Sequence, residues 1–180
     1  AQDPDADRLV LVDECGVPIH EECTLALAAT WVLRHRGPGV LVANLSTSRM
    51  IDRIAEEFSG AKVVRSAVGE ANVVDVMEQS SAVLGGEGNG GVIDPEVVKV
   101  RDSITGMAMV LDLLAEEGRP LSALVADLPA LAMVKEKRDL SSIGGRAAVP
   151  EVLAAVRSTF TGGQVNDLDG VRVDLAEGWV

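Results

Sequence analysis

The chain has 180 residues, 47% of them hydrophobic, with 18 glycines, so it can bury a sizeable core as one domain or one domain and part of another. A formal net charge of −12 sets it against nucleic acid and anionic membranes as partners. The two cysteines, Cys15 and Cys23, lack the spacing of a disulfide framework or a zinc site, no apolar run is long enough to span a membrane, and the acidic start is unlike a signal peptide; a cytoplasmic protein with reduced thiols is expected.

The chain opens on Asp3-Pro4-Asp5-Ala6-Asp7-Arg8, three carboxylates on alternate residues. Carboxylates so spaced on a short turn can converge on one hard cation, magnesium or calcium, and the adjacent guanidinium offers a fork for a phosphate. A solvated acidic turn is the plain alternative. An EF-hand places a bidentate ligand where Glu14 stands, but it needs glycine at the position of Arg8 and a helix before the loop. The next residues, Leu9-Val10-Leu11-Val12, read as a buried strand.

Residues 24–36 are apolar on most faces and stop at Gly37-Pro38, which predicts a largely buried helix. Val40-Leu41-Val42-Ala43 reads as a strand covered on both faces, and Ser48 as the cap of a helix carrying Ile51, Ile54, Ala55 and Phe58. The cycle repeats with a strand at 62–65, a helix at 71–79 and a strand at 82–84 that enters a glycine run. Asp102 is expected to cap a third amphipathic helix bearing Ile104, Met107, Ala108, Leu111 and Leu114, closed by Gly118 and Pro120. Alternating strands and helices over residues 16–126 predict an α/β layered domain. Beyond Pro129 a strand at 131–138, a helix at 150–160 and two or three strands at 164–180, turning at Asp169-Gly170 and Glu177-Gly178, predict an α+β unit. Lys135-Glu136-Lys137-Arg138 is too short and mixed for a basic binding patch. Trp31 reads as core and Trp179 as part of a late strand. His20 and His35 have no carboxylate or cysteine at ligand spacing in the sequence and read as surface positions.

Gly85-Gly86-Glu87-Gly88-Asn89-Gly90-Gly91 follows a strand at its carboxyl end, where open α/β sheets bind ligands. It is neither a Walker loop nor a dinucleotide fingerprint, because no Gly-Lys-Ser/Thr follows and Val92-Ile93-Asp94-Pro95 cannot open a helix. Glu87 and Asn89 could accept from and donate to sugar hydroxyls, and a simple glycine hairpin is the alternative.

Together the two loops resemble those of the α-D-phosphohexomutases, which include phosphoglucomutase, phosphomannomutase and phosphoglucosamine mutase. Asp3 to Arg8 is similar to the family's metal loop, usually written DGDGDR, and Gly86 to Gly91 occupies the place of its sugar loop, GEMSGH, GEQSGH or GEES. The resemblance implies a three-layer α/β/α domain with a mixed, mostly parallel sheet, followed by a partial α+β domain. It assigns residues 1–15 to the end of the family's second domain, 16–126 to its third and 127–180 to an incomplete fourth. It implies a reversible, phosphoserine-dependent exchange of hexose 1-phosphate and hexose 6-phosphate, with glucose, mannose or glucosamine as the sugar. Asp3, Asp5 and Asp7 would hold Mg2+, Arg8 would neutralise the transferred phosphate, and Glu87 and Asn89 would bind the sugar. Asn89 replaces the family's serine, and Gly91 replaces a frequent histidine whose role therefore does not carry over. No Ser-His-Asn-Pro nucleophile loop occurs in the chain, so a fragment without turnover of its own is expected. A non-catalytic divalent-cation or sugar-binding module is the alternative; the preferred hexose and the oligomeric state stay open.

Overall fold

The first long apolar stretch forms helix α1 (Glu22–His35), ten of whose residues are buried, and it ends at Arg36 before Gly37 takes a left-handed φ of 87°. Strand β1 (Val40–Asn44), helix α2 (Met50–Glu56), strand β2 (Lys62–Ser66), helix α3 (Glu70–Ser80), strand β3 (Leu84–Glu87) and strand β4 (Gly91–Ile93) follow. Helix α4 (Ser103–Glu117) and the short α5 (Leu121–Ala126) close the first of two units, Ala1–Leu131. The computed structural model describes all 180 residues apart from the side chain of Ile143.

The sheet runs β2-β1-β3-β4, with β1 parallel to β2 and β3, and β4 antiparallel to β3. Successive residues of β1 face opposite sides, as the pleat requires. Leu41 and Ala43 join α1 and α2 residues in one apolar cluster, whereas Val42 joins Val73 and Met77 of α3 in another. The sheet is therefore covered on both faces, giving the expected three layers of an α/β/α fold with a mostly parallel sheet. Each fully buried Leu or Val in these layers contributes roughly 1.5–3 kcal/mol.

Local signals explain most element ends. The Asp102 carboxylate accepts from the amides of Ile104 and Thr105 and starts α4; Gly118, at a φ of 60°, stops it. Ser48 Oγ accepts from Met50 N at 3.3 Å, so it caps α2 from just outside the helix. The glycine run divides between β3 and β4 and is a hairpin, with Gly85, Gly86 and Glu87 paired to Ile93, Val92 and Gly91.

Three expectations are corrected. Leu9–Val12 is not a buried strand: only Leu9 is buried, Val12 is 49% exposed, and the segment makes isolated bridges, Gln2 with Leu9 and Val12 with Pro18. Its amides bond to loops and turns, Leu9 N to Gly90 O and Val10 N to Ala1 O, so no continuous ladder forms. Helix α4 turns a different face inward, Gly106, Met109, Val110 and Leu113, leaving Ile104 67% and Leu111 63% exposed. Gly106 lies on that inward face, against Leu9 and Val92. Residues 131–138 form no strand; they are irregular, and Val134 is 83% exposed.

The second unit, Ala132–Val180, contains helix α6 (Val149–Thr159) and an antiparallel pair, β5 (Gln164–Asn166) and β6 (Arg172–Asp174), extended by a bridge from Asp174 to Trp179. Among the described residues, no helix is long and apolar enough to cross a membrane.

Candidate functional site

All three parallel strands end in a polar residue at the same edge: Asn44 on β1, Ser66 on β2 and Glu87 on β3. After β1 the chain moves to one side of that strand for β2 and to the other for β3, so the β1/β3 edge is the topological switch point, where open α/β sheets bind ligands. Asn44 and Glu87 meet there, with Asn44 Nδ2 donating to Glu87 Oε1 at 2.6 Å.

Glu87 is only 4% exposed. Its Oε1 also accepts from Gly69 N at 3.2 Å; its Oε2 accepts from Arg101 Nη1 at 2.6 Å and, at a long 3.4 Å, from Asn89 Nδ2. A buried carboxylate needs such partners, because leaving it bare in the interior costs several kcal/mol. Thr47 fixes the turn behind it: its hydroxyl donates to Asn44 Oδ1 at 2.8 Å and accepts from Gly88 N at 2.9 Å. Asn89 Oδ1 accepts from Gly91 N at 3.1 Å, which orients the amide toward Glu87.

The aspartate loop docks against this hairpin. Leu9 N bonds to Gly90 O at 3.0 Å, and Gly90, at a φ of 90°, lies so close to the Leu9 carbonyl that a Cβ would collide with it. Ser103 Oγ, at the start of α4, donates to Ala6 O at 2.6 Å and accepts from Gln2 Nε2 at 2.6 Å. Thr24 Oγ1 on α1 donates to Leu9 O at 2.8 Å. Within the loop, Ala6 N closes a turn onto Asp3 O at 3.1 Å, and Ala6 takes a left-handed φ of 60°.

This turn brings carboxylate oxygens of Asp3, Asp5 and Asp7 within 4.8 Å of one another. Asp3 accepts from Arg8 N at 3.1 Å and Arg8 Nε at 2.6 Å, while the Arg8 side chain stays 45% exposed. Desolvation works to raise the Asp3 pKa, but the Arg8 hydrogen bonds outweigh it and hold the group at about 2. Asp7 moves the other way: burial raises its pKa, helped by the charges of Asp5 and Asp3 against the pull of Arg101. Asp7 Oδ1 is buried with no hydrogen-bond partner, and Arg8 Nε lies 3.5 Å away. An all-oxygen donor set with an orphaned buried oxygen fits a hard cation such as Mg2+ or Ca2+ and does not fit a thiolate- or imidazole-seeking metal.

Arg101 joins the two loops. Its guanidinium pairs with Asp7 through Nη2, with Glu87 through Nη1, and with Glu70 of α3 through Nε at 3.0 Å. Desolvation pulls its pKa down, but Glu87, Asp7 and Glu70 together raise it, so it stays charged. A Cβ at Gly91 would run into Arg101 Cδ, so the guanidinium stem packs directly on the hairpin backbone.

Every site residue singled out in the sequence thus lies at this edge: Asp3, Asp5, Asp7 and Arg8 on one loop, Glu87 and Asn89 on the facing hairpin. Sequence reasoning missed Asn44, Thr47, Glu70 and Arg101. Asn44 carried a signal, a polar residue ending an apolar strand; Arg101 carried none, since it sits in an irregular segment. His35 is exposed, as expected, at the end of α1, where its Nε2 lies 2.7 Å from Glu116 Oε1 of α4.

A loop whose three aspartates converge, facing an acidic hairpin at the carboxyl edge of an α/β/α sheet, defines the class: an α/β/α domain with a polar, carboxylate-rich site at the switch point of its sheet. Residues 21–132 match the family model described as phosphoglucomutase/phosphomannomutase, alpha/beta/alpha domain III. The chain is 38% identical over 180 residues to a phosphoglucomutase/phosphomannomutase of Thermococcus kodakarensis, a match that takes in all of this chain and 39% of that protein. It is 37% identical over 182 residues to a Methanopyrus kandleri protein named "Probable phosphoglucosamine mutase", again covering all of this chain and 39% of the relative. The crystal structure of a phosphoglucomutase/phosphomannomutase family protein from Burkholderia thailandensis superposes with a TM-score of 0.81 at 25% identity, over 99% of this chain and 38% of that one. The chain belongs to the phosphoglucomutase/phosphomannomutase family, the phosphohexomutases, and spans about 39% of the length of these curated relatives.

Proposed function

We propose that the chain is the part of a phosphohexomutase, an isomerase acting by intramolecular phosphoryl transfer in the cytoplasm, that holds the metal and one side of the phosphosugar. The reaction is the exchange of hexose 1-phosphate and hexose 6-phosphate, with glucosamine, mannose or glucose as the sugar. Asp3, Asp5 and Asp7 would hold Mg2+, which supplies Lewis-acid charge to the phosphoryl group. The phosphoserine of the reaction would come from a segment outside these 180 residues.

Phosphoryl transfer depends mainly on positioning and charge neutralisation. Arg8 suits the second task, since Asp3 anchors it through Nε while the side chain stays half-exposed toward a phosphate. Glu87 suits the first. Three of its hydrogen bonds are at 3.2 Å or less and fix the carboxylate, while the long contact to Asn89 leaves the position that a sugar hydroxyl can take. Asn89 Nδ2 then donates to the same sugar.

The observation that carries this reading is the docking of the aspartate loop on the Glu87 hairpin at the switch point of the sheet. The test is an assay of the complete protein containing this chain, with Mg2+ and the 1-phosphates of glucose, mannose and glucosamine. Conversion of at least one, lost by orders of magnitude in Asp5→Asn or Glu87→Ala, is the expected result. An inert enzyme on all three would refute it, and cation or sugar binding without turnover would make the protein a binding module.

A further inference from the structure

The Arg101 side chain pairs with both loops of the proposed site, with Asp7 on one and Glu87 on the other. We infer that it is a positioning residue coupling cation binding at the aspartate loop to the setting of the Glu87 hairpin; this rests on the cation and sugar roles proposed for those loops.

The geometry is a three-way clamp. Three carboxylates from separate parts of the unit, Asp7 of the loop, Glu70 of α3 and Glu87 of β3, hold three different nitrogens of one guanidinium. The Arg101 backbone N also donates to Glu70 Oε2 at 3.0 Å, which fixes where the side chain starts. The Arg101 side chain is 20% exposed and that of Glu87 5%, so water does not readily substitute for the Glu87 arm. Only a planar fork with several donors fits three partners at once; a lysine ammonium would act as a point charge.

Asp7 is shared. Its Oδ2 faces Arg101, while its Oδ1 is buried with no hydrogen-bond partner beside the other two aspartates. A divalent cation on Oδ1 and the guanidinium on Oδ2 compete for one carboxylate and repel each other. Cation binding therefore loosens the Asp7 arm and leaves Arg101 to Glu70 and Glu87. Glu87 Oε1 in turn accepts from Gly69 N, so the Gly69 amide reports on the change. By linkage, a ligand that draws on Glu87 alters cation affinity by the same factor.

The experiment uses the complete protein containing this chain, with Mg2+ calorimetry and amide NMR on wild type, Arg101→Gln and Arg101→Lys. Circular dichroism establishes that each variant is folded, and Arg101→Lys serves if Arg101→Gln does not fold. In wild type, Mg2+ is expected to bind and to shift the Gly69 resonance. Arg101→Gln should bind Mg2+ on the order of tenfold more tightly, because a neighbouring positive charge is gone, yet leave Gly69 unmoved. Arg101→Lys should keep near wild-type affinity and also lose the Gly69 response. Wild-type affinity and a wild-type Gly69 shift in both variants would overturn the coupling and leave the cation reading standing. Absence of Mg2+ binding in wild type and both variants would overturn the cation reading and the coupling together.

Discussion

Replacing Asn44 with alanine tests the central claim that the end of β1 holds the acidic hairpin in place. Asn44 is 1% exposed; its amide donates to Glu87 Oε1 at 2.6 Å, and its carbonyl accepts from the hydroxyls of Ser46 at 3.0 Å and Thr47 at 2.8 Å. A hydrogen bond to a charged group is worth about 1.5–3 kcal/mol, and a buried neutral one about 1 kcal/mol. Ser46 is exposed, so water replaces its lost partner, but the buried Thr47 hydroxyl loses the bond to Asn44 Oδ1. The sum is a loss of about 3 kcal/mol, which for a chain of this size lowers Tm by roughly 6–12 °C. Urea unfolding should show a lower midpoint with an unchanged slope. Asn44→Asp sharpens the test, since a second carboxylate would face Glu87; it should be more damaging than alanine at neutral pH and recover partly as the pair takes up a proton. A loss below about 1 kcal/mol for Asn44→Ala, typical of an exposed polar residue, would refute the reasoning.

Other expectations follow from groups elsewhere in the first unit. The Glu116 hydrogen bond, with the Trp31 carbonyl, raises the His35 pKa above its ordinary 6.5, so the stabilisation is complete below that value and fades as pH rises through the raised one. Melting curves across that range should show wild type losing ground relative to His35→Gln as pH increases, and parallel curves would contradict it. Cys23 is buried and its thiol pKa is pushed up by burial and then by Glu22, whereas Cys15 is exposed. Alkylation of native protein should label Cys15 and spare Cys23 until the chain unfolds, as read by mass spectrometry. Ala6, at a φ of 60°, stands where a side chain is strained by about 1 kcal/mol. Ala6→Gly should raise the melting temperature, and Ala6→Val should lower it.

The α/β/α architecture was legible because its signals are local. Short strand-forming runs at 40–43, 62–65 and 82–84, separated by amphipathic stretches with Asp102 and Gly118 as helix punctuation, specify alternation whatever the chain's final path. The second unit's helix and late strands were legible for the same reason. Two errors show the limit. Leu9-Val10-Leu11-Val12 has strand composition, yet a strand needs a partner ladder, and here the neighbouring backbones are a hairpin turn and loops. In α4 the apolar residues are spread widely enough to allow more than one stripe, and the face that buries Gly106, Met109, Val110 and Leu113 is the one the tertiary packing uses.

The site divides along the same line. Asp3, Asp5, Asp7, Arg8, Glu87 and Asn89 could be named from spacing and residue chemistry, because alternate carboxylates and an acid among glycines are unusual wherever they occur. That the two loops form one site could not, since residues 7 and 87 are joined by no local rule. Packing of the aspartate loop on Gly90 and Ser103 brings them together. Only the tertiary structure shows Arg101 clamped between Asp7, Glu70 and Glu87, because an ion pair depends on proximity in space, and the sequence around Arg101 has no periodicity that would aim its side chain.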